Sequence, residues 1–300
     1  MKDETWQKLV ELGFDKVHQS DLAVGRECRA KLAFSLAAGR KRDGVPIVNA
    51  ALGSVFNVAI DKFEQGLPYS DAYQFWSSCI EDSGIKEFRY GDGSVAPAIG
   101  LMRHCLDVKD GKSLKDYAFQ CLTDLERAGI TITASRVDVS NDHFAGEIDY
   151  LVEGPLGKGI VDLKTYGFWR YWCYGGSVQS QQWDENQIKY LPQLRHYEYM
   201  LGESVDFFAI LCPTNMVPYM KGPKLGQRRG PTIFIAPSHI GGGYERDVEQ
   251  WLESFAHSQP RDFPTNFGKP TCPSCKFFGP CMMGTEIQTP DFLEEDYDGE

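Results

Sequence analysis

The 300-residue chain has no apolar run of about eighteen residues or more, so nothing in it reads as a membrane-spanning helix. Its first residues, MKDETWQKLVELGFDK, are charged throughout and hold no apolar signal-peptide core, which leads to the expectation of a cytoplasmic address. No G-x-x-x-x-G-K-[ST] motif occurs, so this chain alone is not expected to unwind a duplex by NTP hydrolysis. Positive charge is short. Lys and Arg number 31 against 42 Asp and Glu, a formal net charge of −11. That balance excludes a basic coat over the whole chain but leaves room for a local basic groove. Internal repeats and long low-complexity linkers are absent. Histidine is scarce at six residues, and His104, His143 and His196 among them form no ligand cluster in the sequence.

What is present begins with an apolar fraction of 42% and a charged fraction of 24%, enough to bury a sizeable core. Nine cysteines stand out. The count is odd, and a reducing compartment disfavours a disulfide framework, so they are core thiols or metal ligands. Acid is concentrated at the end. Residues 286–300 hold Glu286, Asp291, Glu294, Glu295, Asp296, Asp298 and Glu300 and no Lys or Arg, which is seven of the eleven net negative charges. The segment reads as a solvated, disordered tail, with a partner-binding or DNA-mimicking role as the alternative.

Residues 1–130 read as mainly helical. Asp21 is expected to cap a helix running through Cys28 to about Ala38, and a second helix covers roughly Val48 to Gln65. Two more periodic segments lie near 70–80 and 113–129, and Gly91, Gly93 and Pro97 mark a loop. The pattern changes near residue 130. ITITASRVDV alternates as a strand, and HFAGEIDYLVEG and GKGIVDLKT follow around a turn. A helix is expected from about Asp184 to Leu201, then strands in VDFFAILC and PTIFIAP and a last helix in ERDVEQWLESFAHS. The order predicts an α/β fold with a central mixed sheet flanked by helices and a helical N-terminal part.

Chemistry gathers in residues 146–164. Glu147 and Asp149 are two apart, as are Asp162 and Lys164, so each pair shares a strand face. If the two strands pair through EGPLGKG, the acids meet at one edge. Two carboxylates with the Leu163 carbonyl make a hard oxygen site suited to Mg²⁺ or Mn²⁺. A lysine beside metal-bound water stabilises nucleophile and phosphate charge. Alone, D-x-K is too common to carry a claim and reads as strand-end surface charge. Further on, Gln193 and Tyr197 are four apart on one helical face, as are Gly53 and Asn57 earlier, with Asp61 and Glu64 continuing that face.

The ordered set G-x-x-x-N, G-x-x-D, D-x-K and Q-x-x-x-Y resembles the PD-(D/E)-x-K nucleases of the RecB and Cas4 type. The resemblance spans about residues 20–285 and implies a restriction-endonuclease-like core in residues 131–285. It implies metal binding by Asp149, Asp162 and the Leu163 carbonyl, catalysis by Lys164, and a site completed by Gln193 and Tyr197. The family's first motif ends in His, where this chain has Asn57; the amide oxygen is a poorer ligand, and Asp61 is placed to compensate.

The end of the chain carries Cys272, Cys275 and Cys281 in TCPSCKFFGPC, three thiols among prolines and a glycine. They need a fourth ligand. Iron–sulfur members of the same family place one cysteine upstream and three at the end, which implies a [4Fe–4S] cluster on Cys28, Cys272, Cys275 and Cys281. Zinc in a four-cysteine site is the alternative. Cys79, Cys105, Cys121, Cys173 and Cys212 lie in apolar segments and read as core.

Two segments are candidates for DNA contact. Between Tyr166 and Trp183 seven aromatics crowd eighteen residues; Trp169 and Trp172 suit base stacking and Arg170 a phosphate, or the segment is a packed lid. Lys221, Lys224, Arg228 and Arg229, with Arg40, Lys41 and Arg42, offer a local positive groove or a plain solvated loop. The expected activity is exonucleolytic cleavage of single-stranded DNA or DNA ends, with a helicase, recombination or CRISPR-adaptation partner, or in a phage genome. The alternatives are a non-catalytic iron–sulfur DNA-binding subunit and a zinc-stapled interaction module.

Overall fold

Apolar alternation over 131–163 produces long paired strands, and the helices on either side bury their apolar stripes against them. The computed structural model describes residues 1–37, 45–66, 71–90, 92–106, 108–109, 112–164, 191–211, 233–238 and 243–258. In chain order the first part holds α1 (Asp3–Glu11), β1 (Val17–His18), α2 (Gln19–Glu27), α3 (Arg29–Ala37), α4 (Val48–Glu64) and α5 (Ala72–Asp82). The small hairpins β2 (Glu87–Arg89) with β3 (Val95–Pro97) and β4 (Val108–Lys109) with β5 (Lys112–Ser113) enclose α6 (Met102–Cys105). Then come α7 (Leu114–Arg127), β6 (Thr131–Ser140), β7 (Phe144–Gly154), β8 (Gly157–Leu163), α8 (Leu191–Leu201), β9 (Phe207–Leu211), β10 (Ile233–Pro237) and α9 (Tyr244–Ala256).

The large sheet is mixed. β7 pairs antiparallel with β6 and β8, β8 runs parallel to β9, β9 pairs antiparallel with β10, and β1 lies parallel to the start of β7. α4 to α7 cover one face, with Val55, Phe75, Trp76 and Leu125 buried against Tyr150, Val152, Val161 and Leu163. The other face carries α1 to α3, α8 and α9, with Leu9, Leu36, Leu194 and Leu252 against Phe144, Ile148, Ile160 and Phe208. Among the described residues no helix is long and apolar enough to cross a membrane.

Two local expectations are corrected. The helix expected from Asp21 through Cys28 is two helices. His18 is the cap of α2, and Asp21 takes the third position, accepting the His18 backbone N–H at 2.7 Å. At Cys28 the backbone turns extended (φ −158°, ψ 110°), and its carbonyl accepts Leu32 N–H, opening α3. The stretch around Gly93 and Pro97 is a hairpin rather than a loop. Fully buried Phe88 draws β2 into the core, and three residues are too short for periodicity to reveal a strand. Gly91 lies outside the described residues, as does the start of the helix expected from Asp184.

Candidate active site

The site forms where β7 and β8 part. β6 occupies one edge of β7 from Ala145 to Glu153. The other edge carries β1 at Phe144 and Ala145 and β8 from Tyr150 to Gly154. Between them, residues 146–149 have no strand on that edge among the described residues, and β8 continues beside β9. Gly146 stands at this notch with α8 laid close over it: a Cβ there would come within 2.8 Å of Met200 Cε and 3.2 Å of Tyr197 Cε1. Glycine is what lets Tyr197 reach the notch.

The register that pairs Tyr150 with Val161 brings Asp149 and Asp162 opposite one another one step beyond the last paired residues. Asp149 takes over where the ladder stops: its Oδ2 accepts the Leu163 backbone N–H at 2.7 Å, and its Oδ1 accepts Asn57 Nδ2 at 3.3 Å. Asp162, 2% exposed, pairs through Oδ2 with Lys164 Nζ at 2.6 Å. Gln193 links the rest. Its Nε2 donates to Asp162 Oδ1 at 2.9 Å and to Tyr197 Oη at 2.8 Å, and its Oε1 accepts from Lys164 Nζ at 3.0 Å. Each of the four carboxylate oxygens thus meets one nitrogen, which fixes both groups and leaves lone pairs on each for a further partner.

Burial shapes the electrostatics. It pushes the Asp149 carboxyl up to about 7, with the Asp162 charge adding to the effect and Lys164 opposing it. Asp162 is also raised, again by burial, against the pull of Lys164. Burial and the Asp162 charge raise the Tyr197 phenol well above its ordinary range, so it stays protonated. Because Tyr197 Oη accepts from Gln193, its own hydrogen remains to be donated. Two buried acids with one lysine make a site that gains from a bound cation.

The expected residues Asn57, Asp149, Asp162, Leu163, Lys164, Gln193 and Tyr197 therefore come together, from α4, β7, the end of β8 and α8. Asp61, suggested as a compensating ligand, has no hydrogen-bond partner at its buried Oδ1. Burial raises its carboxyl to about 6, against the pull of the Arg136 charge on β6. Among the described residues no three His, Cys, Asp or Glu side chains gather as a metal cage. The available set is two carboxylates, an amide and a carbonyl. His196 faces away from the notch, toward Tyr244, whose Oη lies 3.1 Å from His196 Nδ1. Sequence reasoning passed over Arg136, which sits on β6 opposite Asp149 and carried no signal beyond being one polar residue in an alternating strand.

The four described cysteines divide between the two faces. Cys79, Cys105 and Cys121 are fully buried in the α4–α7 layer, where burial pushes the Cys79 and Cys105 thiols up to about 12. These are inert core thiols. Cys28 is partly exposed in the opposite layer, and its Sγ accepts the Lys31 backbone N–H at 3.5 Å. Cys173, Cys212, Cys272, Cys275 and Cys281 lie outside the described residues. So do Trp169, Arg170, Trp172, Lys221, Lys224, Arg228, Arg229, the Arg40–Arg42 cluster and the acidic tail. Comparison with protein-family models, with curated proteins and with solved structures returns no significant match.

Proposed function

We propose that the protein is a metal-dependent deoxyribonuclease of the PD-(D/E)-x-K type, similar to RecB and Cas4 nucleases, with a restriction-endonuclease-like core. Its substrate is single-stranded DNA or DNA ends. The observation that carries this reading is the linked set of Asp162, Lys164, Gln193 and Tyr197, with Asp149 opposite Asp162, at a notch in a mixed sheet. Among the described residues the donors at hand for a cation are oxygens: Asp149, Asp162, the Leu163 carbonyl and the buried Asn57 Oδ1, which has no hydrogen-bond partner. Such a set fits Mg²⁺ or Mn²⁺. When bound, the ion supplies activation of the attacking water and neutralisation of phosphate charge.

The chain's own groups then have defined tasks. Lys164, held between Asp162 and Gln193, presents an ammonium to the water or to a phosphoryl oxygen. Gln193 fixes Lys164, Asp162 and Tyr197 at once and so sets their geometry. Tyr197 donates its phenolic hydrogen to a substrate oxygen. Burial of the acids strengthens each of these interactions.

The second element of the proposal is a [4Fe–4S] cluster on Cys28, Cys272, Cys275 and Cys281. Cys28 has an N–H on its sulfur, as a ligating thiolate accepts. Its neighbour Arg29 donates to Ser254 Oγ of α9 at 3.0 Å and lies 5.8 Å from the Trp251 ring. The cluster would tie the start of the chain to its end.

Asn57 favours a second reading, a non-catalytic iron–sulfur DNA-binding subunit, because its amide hydrogen already faces Asp149. Release of nucleotides from end-labelled single strands on adding Mg²⁺ or Mn²⁺, reversed by EDTA, supports the nuclease. Binding without release under both metals supports the second reading.

A further inference from the structure

Among the described residues, Arg136 is the sole non-glycine with a positive φ, 51°. An arginine in the left-handed region costs conformational energy, and such strain collects at functional sites. Its place is specific. The β6–β7 ladder pairs Ser135 with Tyr150 and Val137 with Ile148, and steps over Arg136 and Asp149. Ile148 and Tyr150 are two apart and belong on one face of a regular strand. Instead Ile148 packs in the α8–α9 layer and Tyr150 in the α4–α7 layer. On β6, Val137 packs in the first of these layers while Ser135 is paired with Tyr150 of the other. Both strands therefore turn over at the Arg136–Asp149 position.

The turn-over serves both residues. It swings Asp149 toward Leu163 N–H and Asn57, and it sets Arg136 beside Glu147, on the stretch of β7 that borders the notch. There the guanidinium lies beside Glu147, Nε to Oε1 at 3.9 Å, and its charge reaches Asp61, whose buried Oδ1 has no hydrogen-bond partner. The Arg136 and Glu147 side chains are 43% and 45% exposed. A planar fork of donors, half exposed and only loosely paired, suits a phosphate diester.

We propose that Arg136 binds a backbone phosphate of the DNA strand adjacent to the cleaved linkage, with Asp61 and Glu147 as its positioning residues. This rests on the nuclease reading above. The alternative is that Arg136 only bridges α4 and β6.

The test uses the full-length protein and a fluorescein-labelled single-stranded oligonucleotide. Anisotropy is measured over a range of salt in Ca²⁺, with strand integrity checked on a gel. Arg136→Gly removes the guanidinium and relieves the backbone, so its thermal midpoint equals or exceeds that of the wild type. The proposal expects roughly tenfold weaker binding and a salt slope smaller by about 0.7, with most of the slope retained in Arg136→Lys. If Arg136→Gly does not fold, Arg136→Asn, which tolerates the same φ, replaces it. Wild-type affinity and slope in the variant, in a preparation that cleaves DNA with Mg²⁺ or Mn²⁺, overturn the proposal and leave the nuclease reading standing. A wild-type protein that neither binds nor cleaves DNA overturns both.

Discussion

Lys164 and Gln193 share a hydrogen bond, Nζ to Oε1 at 3.0 Å, and the other end of the same amide donates to Asp162. The amide is thus read in one orientation only, with oxygen toward the cation and nitrogen toward the acid. Gln193→Glu keeps the shape but replaces the donor with a second carboxylate beside Asp162. We expect kcat to fall roughly 100-fold with the KM for DNA changed only a few-fold, because positioning is lost and strand binding is not. Steady-state kinetics on a labelled single strand checks this.

Asp149 gives a pH-dependent prediction for the metal-free protein. Its folded value, about 7, lies above its ordinary 3.8, so folding prefers the protonated acid. The stability this confers is fully present below about pH 4 and is lost as pH rises through 7. Asp149→Asn removes that loss and should be more stable than the wild type at pH 7 in EDTA. Urea unfolding at pH 4 and pH 7 reads the difference. The same variant should lose nuclease activity, the usual trade between stability and a strained site.

His196 acts in the opposite sense. Burial holds its imidazole down to about 4, so the unfolded chain takes up a proton first. Stability from this residue is present above about pH 6.5 and declines as pH falls to 4, by on the order of 3 kcal/mol. His196→Gln can keep a bond to Tyr244 and cannot titrate. Its unfolding free energy should be flatter between these pH values than that of the wild type.

The cysteines can be sorted by colour. Cys28→Ser should abolish the broad visible absorbance of anaerobically purified protein and its bound iron and sulfide. Cys79→Ser and Cys105→Ser, buried in the opposite layer, should leave the colour and cost stability alone. Colourless wild-type protein with stoichiometric zinc contradicts the cluster.

How much of this was legible in the sequence depends on the range of the interactions involved. The pairs Asp162 with Lys164 and Gln193 with Tyr197 follow from strand and helix periods, which are local, and the hairpin between β7 and β8 follows from its turn residues. The notch itself was not legible, because it depends on β1, β6 and β8 competing for the two edges of β7. Arg136 was invisible for the same reason, since its left-handed backbone is imposed by the turn-over of two strands. Asp61 shares a helical face with Asn57 as its spacing indicates, yet its carboxyl also feels the Arg136 charge from a strand seventy residues away in sequence or more. The break at Cys28 depends on which backbone groups its thiol and carbonyl attract.

The central claim is that the linked Asp162 and Lys164 perform metal-dependent phosphodiester cleavage. The most direct measurement is nucleotide release from an end-labelled single strand in Mg²⁺ or Mn²⁺, comparing wild type with the Asp162→Ala, Lys164→Ala double variant. The account predicts metal-dependent release by the wild type and a loss of roughly 1,000-fold or more in a double variant that still folds. Equal release by the two proteins contradicts it.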